Sequence, residues 1–234
     1  MTRRALLLIA VVTPLFLAGH AKVGQGAQAA ASTPSSVGSA SRVKVGPVPL
    51  VKQVFRNNCE TAALAMVLAS AGVRVDQRRL QRELRRSGPL DPIISPDGTW
   101  IWGAPDEGFV GRAEGGGVAG GFGVYQGPIR QLAARYRVHL DDLSRRDVTD
   151  IVSRLRQGRP VLSWIGLSEG PYRRWRTPAG RPISVNLGEH AVVLTGISNG
   201  MILVNDPLTG TRLRWSVSEY AAKWRLLGQR AVGL

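Results

Sequence analysis

Residues 59–71 (Cys-Glu-Thr-Ala-Ala-Leu-Ala-Met-Val-Leu-Ala-Ser-Ala) carry no polar face. Ala62, Ala63, Leu64, Ala65, Met66, Val67 and Leu68 follow one another without a charged residue. A helix that is apolar nearly all round is stable only when other elements cover it on every side. The rest of the fold must therefore be built around this segment. Asn57 or Asn58 can cap its start, and Gly72 can stop it. Its first residue, Cys59, is the only cysteine of the chain and has no intramolecular disulfide partner. At a helix N-terminus the backbone N–H groups and the helix dipole favour a thiolate. This position points to a nucleophile rather than a structural thiol.

The chain begins as an export signal does. Arg3 and Arg4 precede an apolar run, Ala5 to Leu17, that Pro14 interrupts and that is short for a membrane span. Gly19-His20-Ala21 is a cleavage site of the small-x-small type, and His20 stands where a lipoprotein signal would carry its acylated cysteine. The expectation is a signal peptide over 1–21 and a secreted, extracytoplasmic protein with no stable transmembrane domain in the mature chain. An uncleaved N-terminal anchor is the alternative. Residues 22–45 are mostly Ala, Ser, Gly, Gln and Val. With so little to bury they read as a flexible linker. Residues 46–234, about 190 positions, suit one domain with a sizeable core. The expected state is a monomer.

The formal net charge of +15 comes largely from arginine. It makes an anionic cell-surface polymer a candidate partner. The charges are scattered, however, and no basic stripe alternates with aromatics, so nucleic-acid recognition is not expected. No Cys or His pair has metal-ligand spacing, and no glycine pattern fits a dinucleotide or phosphate loop. Neither a metal nor a cofactor is expected.

Downstream, Asp76 can cap a helix over 77–86 whose arginines form a solvated face. Residues 87–127 are rich in proline and glycine and hold Trp100, Trp102, Phe109 and Phe122. They predict a packed loop whose aromatics either line a substrate groove or pin the loop to the core. Helices are predicted over 126–137 and 148–157, and a strand over 160–167. Residues 168–187 read as a polar excursion. Two strands, 191–197 and 201–205, flank Ser198-Asn199-Gly200 as a hairpin; 212–215 continues the sheet, a helix spans 218–224, and 229–232 is a last strand. Helices first and antiparallel strands later give an α+β class.

Thiol acyl-transfer chemistry needs a thiolate, a base and donors for an oxyanion. Cys59 supplies the first. Of the histidines beyond the signal, His139 lies between a helix and a polar turn and reads as structural. His190 opens the first hairpin strand. Asp206 ends the second. A two-residue turn at Asn199-Gly200 would pair Asp206 with position 193, facing away from His190; a three-residue loop, 198–200, would pair it with 192, on the face of His190. The catalytic reading thus predicts the odd-numbered loop, with Gly200 left-handed in a bulge. Gln53, six residues before Cys59, is a candidate oxyanion donor beside the Cys59 backbone N–H.

Gln53-x5-Cys59, Cys59-Glu-x3-Leu-Ala-Met-Val-Leu68, Glu189-His-Ala-Val-Val-Leu-Thr-Gly196 and Val204-Asn-Asp-Pro-Leu-x-Gly210 together resemble the papain-like cysteine peptidases related to double-glycine leader (bacteriocin-processing) peptidases, in their stand-alone secreted branch. The resemblance covers essentially 48–234. It implies a papain-like fold, with the nucleophile helix packed on a C-terminal antiparallel sheet. It also implies Cys59 as nucleophile, His190 as general base and then acid, Asp206 as imidazole orienter and Gln53 as oxyanion donor, acting on a peptide or protein substrate. Residue 60 departs from the pattern: it is Glu where many relatives have Gly, and a carboxylate beside a thiolate opposes its ionisation unless it points away. The expected function is hydrolysis of peptide bonds. Two alternatives stand beside it. One is a non-catalytic papain-like module binding anionic cell-surface polymers; the other is a thiol transpeptidase or cell-wall amidase.

Overall fold

The computed structural model describes residues 45–234; the expected signal peptide and all but the last residue of the expected linker lie outside the described residues. The elements, in order, are α1 (Cys59–Ser70), α2 (Gln77–Glu83), β1 (Ile93–Ile94), β2 (Trp100–Ile101), β3 (Val110–Gly111), β4 (Gly121–Gly123), α3 (Gln126–Arg135), β5 (Asp141–Asp142), α4 (Val148–Arg156), β6 (Val161–Gly166), β7 (Tyr172–Arg176), β8 (Pro182–Asn186), β9 (Glu189–Ser198), β10 (Met201–Asp206), β11 (Thr211–Trp215), α5 (Val217–Arg225) and β12 (Ala231–Gly233). The class is α+β, as the sequence predicts. None of the described helices is long and apolar enough to cross a membrane.

Six strands form the main sheet in the order β11-β10-β9-β6-β12-β5, every neighbour antiparallel. Helix α1 packs on β9 and β6, and α2 and α3 cover its other sides. Every α1 residue except Ala69 is buried, which is what an apolar surface without a polar face requires. Strand alternation then divides the core into two. Leu162, Trp164, Ala191 and Val193 pack on the α1 side. Val161, Ile165, Val192 and Leu194 face the opposite way, toward Ile151 and Leu155 of α4 and Tyr220 and Trp224 of α5.

Three local expectations are corrected. First, Asn58 occupies the N-cap position of α1 but makes no side-chain cap. Its Oδ1 instead accepts from the Phe55 N–H at 2.8 Å, and its Nδ2 donates to Gln77 Oε1 at 2.9 Å. This buried amide network spends Asn58 on fixing the loop that enters α1 and on tying α2 to it. Second, α2 stops at Glu83 rather than 86, because the following backbone pairs with another segment: the Phe109 N–H donates to Arg85 O and the Ser87 N–H to Phe109 O. Third, the two stretches read as irregular hold short strands. Residues 168–187 form the β7–β8 hairpin, which joins β1 and β2 of the 87–127 region in a four-stranded sheet, β1-β2-β7-β8. Strands β3 and β4 form a separate pair. Trp102 and Trp175 from the two stretches meet edge-on at 5.4 Å, and Phe122 meets Trp175 at 5.9 Å.

The β9–β10 hairpin reaches the register needed at its far end by a different route from the one predicted. Asn199 and Gly200 both have positive φ (51° and 74°), and Ser198 pairs with Met201, so the turn has two residues. Left-handed backbone at both turn positions is the twist-matched form for which Asn-Gly is favoured. The register shift comes later: Leu203 pairs with Gly196 but Val204 pairs with Leu194, leaving Thr195 as an extra residue. This bulge sets Asn205 opposite Val193 and so brings Asp206 level with Val192. The expected register is present; the odd-numbered loop is not.

One backbone unit ties the core to the site. Trp164, fully buried, donates its indole N–H to Val124 O at 2.8 Å, while the Val124 N–H donates to Glu60 Oε1 at 2.6 Å. Replacing Trp164 with Phe leaves a buried carbonyl unpaired and is expected to cost about 1–3 kcal/mol, measured as a lower urea midpoint at unchanged m-value.

Candidate active site

A cleft of about 180 Å³ opens where the N-terminus of α1 meets the start of β9. Gln53, Cys59, Glu60, Glu189 and His190 line it together with Trp102, Phe122 and Trp175. Leu167, Leu187, Leu208, Arg56 and Arg173 also line it. Three of the four candidate site residues, Gln53, Cys59 and His190, line this one cleft. Asp206 stands behind the cleft and touches it through His190.

His190 Nε2 and Asp206 Oδ1 are 2.7 Å apart, and both residues are buried. Burial alone would raise the Asp206 pKa. The hydrogen bond and charge of His190, with the Leu208 N–H and Thr209 hydroxyl, overcome that and hold it below the ordinary carboxylate value. An ionised carboxylate only accepts hydrogen bonds, so Nε2 carries the proton toward Asp206. In the neutral ring this leaves Nδ1 as the basic nitrogen.

The thiol does not hydrogen-bond to that imidazole. Cys59 Sγ instead approaches Glu60 Oε2 at 3.5 Å. The expectation of an easily formed thiolate is reversed here. Burial pushes the Cys59 pKa well above the ordinary thiol value, and the charges of Glu60 and Glu189 push it further; the backbone N–H of Ala191 opposes them. The open condition on Glu60 is resolved the same way: its carboxyl points at the sulfur, not away. Burial raises Glu60 to about 7, against hydrogen bonds from backbone N–H groups, Val124 among them.

Glu189, a motif residue with no role expected from the sequence, completes this cluster. Strand alternation sends it to the α1 side with Ala191, while His190 goes with Val192. Sγ and one oxygen each of Glu60 and Glu189 lie within 4.8 Å of one another. Burial and the neighbouring Glu60 charge raise the Glu189 pKa well above its usual value. Its Oε1 is inaccessible and has no hydrogen-bond partner. The room for both carboxyls comes from Gly123 (φ 121°): a Cβ there would lie 2.3 Å from Glu60 Oε1 and 3.3 Å from Glu189 Oε2. One thiol and two carboxyls are also a donor set for a borderline divalent ion, a set invisible to a search for Cys and His spacing. The signal that could have exposed it is an acidic residue directly adjoining each of the two residues singled out, Cys59-Glu60 and Glu189-His190.

Gln53 Nε2 donates to Phe55 O and to Arg56 O, both at 2.9 Å, and its Oε1 is buried without a partner. Both amide hydrogens thus serve the loop entering α1; one would have to leave its carbonyl to reach an oxyanion. His139 lies outside the cleft, exposed and 3.3 Å from Asp141.

The family model described as "Peptidase_C39 like family" matches residues 45–232. YvpB of Bacillus subtilis (strain 168), an uncharacterised protein, is 31% identical over 180 residues, which are 75% of this chain and 68% of YvpB. A crystal structure from Bacillus anthracis, provisionally assigned as a C39-like peptidase, superposes with a TM-score of 0.67 at 29% identity, over 80% of this chain and 93% of that one.

Two outcomes follow from the charges. The folded protein holds the Glu60 proton up to about pH 7, whereas the unfolded chain releases it near 4.5. Raising the pH between those values therefore favours unfolding. Thermal melts should show wild-type stability falling across this window, with a flatter profile for Glu60→Gln by an amount on the order of 1–3 kcal/mol. In the same variant the thiol loses a neighbouring negative charge, so the midpoint of its iodoacetamide alkylation profile should move to lower pH; a midpoint that stays in place or rises would contradict the assignment.

Proposed function

The chain belongs to the Peptidase_C39-like family, and from that premise we propose that it is an exported thiol hydrolase that cleaves peptide bonds with Cys59 as nucleophile. The observation that carries this reading is the His190–Asp206 pair, 2.7 Å apart, on the wall of the cleft that holds the helix-terminal cysteine. A peptide carbonyl would lie over Sγ. His190 Nδ1 takes the thiol proton as the sulfur attacks, and Asp206 stabilises the imidazolium that results. The oxyanion of the tetrahedral intermediate accepts from the Cys59 backbone N–H and from a Gln53 amide hydrogen released by its loop carbonyl. The imidazolium then protonates the leaving amine. Water, deprotonated by the same nitrogen, releases the acyl group.

One observation favours a second reading, a non-catalytic module that holds an anionic polymer. Cys59 Sγ approaches Glu60 Oε2 at 3.5 Å rather than the imidazole, and burial beside two carboxyls pushes its pKa up rather than down. The two readings separate in one experiment, digestion of a peptide library by wild type beside Cys59→Ala and Asp206→Asn. Hydrolysis is expected from wild type, none from Cys59→Ala, and a rate at least roughly a hundredfold lower from Asp206→Asn. Salt-sensitive polymer binding, unaffected by Cys59→Ser and without any turnover, would establish the binding module instead.

A further inference from the structure

The catalytic proposal uses His190 and Asp206 but leaves the Glu60–Glu189 pair without a task. Two carboxyls facing one another beside a nucleophile are costly. Each is desolvated, each opposes ionisation of the other, and one oxygen, Glu189 Oε1, is left with no donor at all. Both arginines of the cleft could in principle relieve this. Among the described residues neither forms an ion pair with a carboxylate, and the Arg173 guanidinium instead lies 4.4 Å over the Trp100 ring. Protonation relieves this pair, and a cation entering from the cleft would pair with the carboxyls in their ionised form.

The walls fit an organic cation. Phe122 directly precedes Gly123, the residue that gives the two carboxyls their space. Trp102, Trp175 and Phe122 form a contiguous edge-on aromatic set along the same cleft. Aromatic faces with nearby carboxylates attract ammonium groups while packing on the alkyl stem that carries them. The volume, about 180 Å³, suits one side chain rather than a larger ligand. A divalent ion would use the same carboxyls but would also occupy Sγ and remove the nucleophile.

We propose that Glu60 and Glu189, walled by Trp102, Phe122 and Trp175, form a substrate subsite for an alkylammonium group, either a lysine side chain or a free peptide amino terminus. The inference rests on the reading of this cleft as a substrate site. Its ligand places a positive charge within a few ångströms of the sulfur, so the group recognised belongs to a residue next to the reacting bond.

The test separates binding from turnover. Capped alanine hexapeptides, each carrying one lysine at a different position, are titrated calorimetrically into full-length Cys59→Ala at pH 7. The same peptides with norleucine, which keeps the four-carbon chain but lacks the ammonium group, form the comparison. The expected result is binding roughly tenfold or more tighter for lysine than for norleucine at one position, lost in Cys59→Ala combined with Glu189→Gln. An uncapped norleucine peptide that matches the lysine peptide would assign the site to the amino terminus. Equal binding of lysine and norleucine peptides, or a lysine preference that a chelator abolishes, would overturn the proposal. Should the Glu189→Gln variant fail to fold, the lysine–norleucine comparison decides alone. Lysine-selective binding with no cleavage by wild type would sink the peptidase reading but leave the subsite standing; cleavage indifferent to lysine would do the reverse.

Discussion

The burial of α1 on every side is the constraint from which the rest of the molecule follows. Its apolar surface can be satisfied only by a sheet on one side and by α2 and α3 on the others. Once the helix lies across β6 and β9, its first residue has one place to be, against the start of β9. Cys59 thereby meets the strand end that carries Glu189, His190 and Ala191, and the Ala191 N–H acts on the sulfur. The site is a by-product of core packing, and Val124 joins the two. The same backbone unit that Trp164 holds from the core holds the Glu60 carboxyl from the other side.

Much of this was legible in the sequence. The all-apolar run, its terminal cysteine and the strand-end histidine with a hairpin partner gave the class, the buried helix and the residues that meet in the cleft. What stayed hidden was non-local pairing. Strands β1 to β4 have two or three residues each, too few for a period-2 pattern, and they exist because β7 and β8 lie beside β1 and β2 or because β3 and β4 lie beside one another. The shortened α2 has the same origin, since Phe109 competes for the backbone of Arg85 and Ser87.

The hairpin is the more instructive case. The turn chemistry of Asn199-Gly200 and the pairing of His190 with Asp206 make opposite demands on the register, and in an unbulged hairpin only a three-residue loop meets the second. The chain keeps both, by inserting Thr195 as a bulge. A bulge changes register by one residue without any change at the loop, and Thr195 has no residue type that would announce it. Local turn preference and long-range register are thus separate determinants and can be satisfied at different points of one strand.

Strand β9 also explains the divided electrostatics of the cleft. Adjacent residues of a strand point to opposite faces, so Glu189 and His190 cannot both join the helix side. Glu189 goes to α1 and faces Glu60; His190 goes to the other side and meets Asp206 in front of Val192 and Val204. The sulfur therefore shares its cleft with an acidic pair that raises its pKa and with His190, which is hydrogen-bonded to Asp206. The balance between them is set by the charge in the pocket. Neutralising the carboxyl pair lowers the cost of a thiolate, and an ammonium group seated there would favour ionisation at the moment a substrate arrives. On that proposal the resting thiol is inert by construction, because the groups that suppress it are the ones that recognise the substrate.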